Sequence, residues 1–135
     1  MVDKGGTRVL FVCRLDVGLY HCVADKIITD EVIITDERIQ HIKAHHPGDY
    51  GRFVDDMAET IKTPDYIIED KKANTAIVLK EFNDNGQKFR LILRLKIETD
   101  PEEYKNSILS FWHVGETSWK KTVKNKNVLY SRKKT

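Results

Sequence analysis

The sequence predicts an α+β domain in which N-terminal helices pack on one face of an antiparallel sheet of about four to five strands, preceded by a short N-terminal hairpin. Three observations point that way. Two stretches between residues 35 and 61 carry apolar side chains at helical spacing, and from residue 65 onward the pattern changes to alternation. Hydrophobic residues make up 40% of the 135 and charged residues 33%, a balance that suits a globular chain and excludes a disordered one.

The elements follow in order. Residues 8–23 are rich in β-branched and aromatic types, and the break at Asp16 to Gly18 divides them into the two strands of the hairpin. Thr35 and Asp36 can cap a helix that begins ERIQHIKAHH and stops at Pro47 and Gly48. A second helix is expected over 49–61, where Phe53, Met57 and Ile61 recur every fourth residue. Alternation then predicts strands at 65–69, 75–82, 89–98, 107–114 and 128–131, with Asn83 to Gly86 as a turn. One domain spans 1–135, with a strand extension at 1–30, a core at 31–132 and a basic tail at 133–135.

No apolar stretch approaches about 18 residues and no leader pattern opens the chain, so a cytoplasmic protein without membrane contact is expected. Cys13 and Cys22 then read as reduced, buried small hydrophobes rather than as a disulfide or a zinc site with His21. The formal charge of +2 is uneven: residues 118–135 hold seven Lys or Arg and no acid. A basic end suits a polyanion such as RNA, and equally a solvated tail.

In the strand 89–98, Leu91, Leu93, Leu95 and Ile97 share one face, leaving Arg90, Arg94 and Lys96 on the other. Lys80 joins those cations if Ile77 and Leu79 turn toward the core. Such a face can hold a phosphate, with Arg94 suited to bidentate contact, although a plain solvated face has the same pattern. His41, His45 and His46 cluster beside Arg38, and imidazole can both give and take protons near neutral pH. Because Ile42 follows His41, the acid of the HExxH zinc motif is missing, and no metal or other cofactor is expected. Ser107 and Ser110 fall on opposite faces of a regular strand, and Trp112 and Trp119 can stack on bases or fill core.

The ordered string VIITDERIQHIKAHHP, KTPDYIIED, NTAIVLKEF, FRLILRLKIETDPEEYKNSILSFW and VLYSR resembles the phage-associated nuclease domains of the barnase, EndoU, colicin and RelE superfamily. In the family pattern a His and an Ile are followed after two variable residues by Arg, His and Pro. His41 and His46 match it here, and His45 stands where the Arg is usual. The later Asn-Ser-Ile-Ile-Thr element becomes Asn106 to Ser110. The resemblance implies a phage or prophage endoribonuclease that forms a cyclic phosphate without a metal. Its expected active site is His41, Lys80, Arg94 and Ser107 or Ser110, with His46 in reserve. Arg38, His45, Arg90, Lys96, Trp119 and Lys120 are the expected substrate contacts. RNA, tRNA among its forms, is the expected partner, and an inhibitor protein is a further one. A non-catalytic RNA-binding module and a phage structural component are the competing readings.

Overall fold

A computed structural model of the chain describes residues 8–45, 50–82 and 86–132. Its elements run β1 (Val9–Arg14), α1 (Val17–Tyr20), β2 (Glu31–Thr35), α2 (Asp36–His45), α3 (Tyr50–Lys62), β3 (Tyr66–Glu69), β4 (Thr75–Glu81), β5 (Lys88–Arg94), β6 (Asn106–Val114), α4 (Glu116–Asn125) and β7 (Val128–Ser131). The strands form one mixed sheet of seven in the order β1-β2-β6-β5-β4-β3-β7, in which only β2 and β6 run parallel.

The sheet exceeds the expected four to five strands because the N-terminal segment joins it rather than forming a separate hairpin. The side chain of Asp16 accepts a hydrogen bond from the Leu19 amide and caps α1, so the chain turns helical where a second strand was expected. Tyr20, fully buried, donates its hydroxyl proton to the Ile61 carbonyl at 2.9 Å and ties α1 to α3. β1 then pairs antiparallel with β2. Cys13 is buried on β1, where burial pushes its thiol up to about 11. Cys22 is exposed, contrary to expectation, its Sγ donating to the Leu19 carbonyl just after α1.

Helices cover both sides of the sheet, whereas one side was expected. Ile39 and Ile42 of α2 and Met57 and Ile61 of α3 pack with Val78, Leu91, Leu93 and Phe111 in the larger core. On the other side, Ile68, Ile77 and Leu79 meet Trp119 and Val123 of α4. Trp119 and Val123 are four residues apart, one helical turn, and this pair seats α4 in a segment whose lysines suggested only a tail. Trp119, partly buried, packs on the second core, edge-on to Tyr66 at 5.9 Å.

Asn106 ties the loop after β5 to β2. Asn106 is fully buried; its Oδ1 accepts from the Lys96 amide at 2.7 Å and its Nδ2 donates to the carbonyls of Thr29 and Glu31 at 2.7 and 3.0 Å. Removing three such bonds leaves buried backbone groups without partners. Asn106→Ala is expected to lower the unfolding free energy by roughly 3 kcal/mol, read from urea denaturation.

Candidate active site

Register decides which side chains can act together. Lys80 of β4 pairs with Phe89 of β5, and Phe89 with His113 of β6, so these three stand in one row on the face of the larger core. Neighbouring strands lie about 4.8 Å apart, which sets the backbones of Lys80 and His113 about 10 Å from each other. The His113 ring is edge-on to Phe89 at 4.8 Å, and Phe82 meets Phe89 from the other side at 5.5 Å. Lys80 is only 6% exposed, with its Nζ 5.9 Å from the Phe82 ring. Among the described residues no carboxylate pairs with it and no hydrogen bond holds it. A lysine whose stem is packed in the fold and whose ammonium no carboxylate holds is available to a bound anion.

Two helices lie on this face of the sheet. The Thr35 hydroxyl accepts from the Arg38 amide at 3.3 Å and starts α2, which packs against β2 and β6 while burying Ile39 and Ile42. Arg38 and His41 are left on its exposed side. α3 crosses the same sheet face: its C-terminal Lys62 acts on Cys13 of β1, and the helix also packs on β4 and β5. His45 is the last residue of α2, and its side chain lies outside the described residues, as does His46.

The opposite face holds the rest. Arg90 pairs with Trp112, Ile92 with Ser110 and Arg94 with Ser107. Lys80 is thus not among these cations, because Ile77 and Leu79 turn toward α4 and reverse the expected parity. A bulge between Ile108 and Ser110 adds one residue to β6, so Ser107 and Ser110 share a face instead of opposing. Ser107 donates to the Lys105 carbonyl at 3.2 Å.

Arg94 is already occupied. Its two Nη atoms reach the Asp100 carboxylate at 2.9 and 3.2 Å, and Nη1 also donates to the Leu95 carbonyl. Its fork anchors the loop after β5, where a phosphate contact was expected. Lys96 lies outside the strand expected to carry it: β5 ends at Arg94, and Lys96 is buried with Nζ donating to the Glu102 carbonyl at 2.9 Å. Lys120, on α4, sits 3.4 Å from Glu116 and is exposed.

Hydrogen bonding from the Ile97 amide, reinforced by Arg94, holds the Asp100 carboxyl below its ordinary value of 3.8 against the opposing effect of burial. A depressed carboxyl stabilises the fold above 3.8, and that contribution is lost as pH falls through its lower folded value. Asp100→Asn should therefore be less stable than wild type at about pH 7, with the gap narrowing at about pH 3, as urea midpoints at both will read.

His113 was not foreseen from the sequence. The signal was present, since it follows Phe111 by two residues and so shares the core-facing side of β6 at the strand's end. The sheet sets Lys80 and His113 in one row on the face that α2, with His41, also covers, within an α+β fold. The chain belongs to the phage-Barnase-EndoU-ColicinE5/D-RelE like nuclease2 family, whose family model matches residues 16–130. No curated protein and no solved structure matches it. Membership in a phage-associated nuclease family implies a nucleic-acid substrate. Among the described residues no helix is long and apolar enough to cross a membrane.

Proposed function

We propose that the protein is an endoribonuclease that cleaves RNA without a metal ion, through attack of a ribose 2′-hydroxyl on the adjacent phosphate. The observation that carries this reading is Lys80: a largely buried lysine, unpaired among the described residues, in one row with the exposed imidazole of His113. In the reaction the 2′-oxygen to phosphorus bond forms as the 5′-oxygen to phosphorus bond breaks. A base takes the 2′-hydroxyl proton and an acid protonates the departing 5′-oxygen, giving a cyclic phosphate and a free 5′-hydroxyl. His41 and His113 are the proton-transfer groups, and Lys80 steadies the charge that gathers on the phosphoryl oxygens.

Arg94 has no part in this scheme because Asp100 holds it. Ser107 and Ser110 stand across the sheet from Lys80, which favours a role in contacting RNA over a role at phosphorus. Arg38, exposed on the helix of His41, is suited to a neighbouring phosphate. A second reading, a module that binds RNA without cutting it, is favoured by His45 standing where the family pattern has Arg.

The test is an RNA carrying a single deoxyribose at the cleaved position. With the nucleophile removed, cleavage there should cease while cutting at other ribonucleotides continues. Unchanged cleavage at the deoxy position would rule out the 2′-hydroxyl mechanism.

A further inference from the structure

On the face opposite Lys80, acids hold the strand-borne cations with one exception among the described residues. Arg14 is 2.7 Å from Asp30, Lys88 is 2.9 Å from Glu116, and Arg94 is 2.9 Å from Asp100. Arg90 forms no such pair. Its Nε is buried with no hydrogen-bond partner, and its guanidinium lies over the Trp112 ring at 5.2 Å. Burial lowers its pKa while Asp70 acts the other way without bonding to it. With Nε enclosed and no acid paired to the group, the Nη donors of this half-buried guanidinium are the ones open to an anion.

Position says which anion. Arg90 and Trp112 each lie one residue along from Phe89 and His113 in the same pair of strands, on the other side of the sheet. A single strand whose reacting phosphate sits by His113 has only to round the end of β5 and β6 to bring another phosphate to Arg90. Ser110, two residues back on β6, offers a hydroxyl on that face. Resting on the ribonuclease reading, we infer that Arg90, stacked on Trp112, forms a second RNA subsite that takes a phosphate flanking the scissile one.

The experiment measures binding of a 2′-O-methylated, uncleavable RNA of about ten nucleotides and of the corresponding dinucleotide. Arg90→Ala should weaken the longer RNA about tenfold, lower its salt dependence by about one charge, and leave the dinucleotide unaffected. Arg90→Lys keeps the charge but loses the planar fork and should fall between the two. Arg14→Ala, whose partner is Asp30, should bind as wild type does. Should Arg90→Ala fail to fold, Arg90→Lys carries the test, and binding equal to wild type overturns the subsite. Equal loss for both RNAs also overturns it, since the contact would then lie at the reacting phosphate. A wild type that binds neither RNA defeats the ribonuclease reading and this inference with it. Wild-type binding with an unaffected Arg90→Ala defeats this inference alone.

Discussion

Lys80→Met is expected to cut the rate of RNA cleavage by about a hundred- to a thousandfold while making the folded protein more stable. The two effects share one cause. Lys80 is 6% exposed and unpaired among the described residues, so its stem is packed in the fold while its charge gains no partner there. Methionine fills a similar volume beside Phe82 without that charge, and a gain of about 1 kcal/mol in unfolding free energy is expected. A residue kept for packing gives the reverse, a loss of stability with cleavage little changed. Single-turnover rates and urea denaturation on the same preparation separate the two accounts.

His41→Ala is expected to slow cleavage by roughly a hundred- to ten-thousandfold, the range ascribed to one proton-transfer group. Since His41 is exposed on α2 and the helix is anchored by Ile39 and Ile42, its loss should change stability by less than about 0.5 kcal/mol. RNA affinity should also persist if, as proposed, the phosphate contacts come from other side chains. Filter binding at low salt together with the cleavage rate will show whether binding and chemistry part in this way.

The sequence was legible wherever a single periodicity governed an element. α2 and α3 were visible in their turn-spaced apolar residues, and β3, β4, β6 and β7 in runs bounded by Pro, Gly and Asn. What was hidden is the side of the sheet to which each residue turns. In β4, residues 75–80 are all buried because α3 lies on one face and α4 on the other, so the alternation that marks a half-solvated strand is absent. Ile77 and Leu79 then appear to define the only core, and Lys80 is assigned to the wrong face. The bulge in β6 has the same consequence for Ser107, since one extra residue exchanges the faces on either side of it without any mark in the sequence.

Charge was equally ambiguous. Arg94 and Lys96 had the alternate spacing of a phosphate-binding face, yet one is committed to Asp100 and the other to the Glu102 carbonyl. Both partners lie within a loop whose course depends on Asn106, and no periodicity describes it. His41 was found because histidines are concentrated on α2, whereas His113 stands alone in its strand and gains meaning only from the row it shares with Phe89 and Lys80.

The most direct test is to incubate the purified protein with single-stranded RNA in excess chelator, beside His41→Ala, and to identify the fragment ends. Cyclic-phosphate and 5′-hydroxyl ends from the wild type alone are the predicted result. RNA that stays intact while the folded wild-type protein retains it on a filter would contradict the account and leave a binding module in its stead.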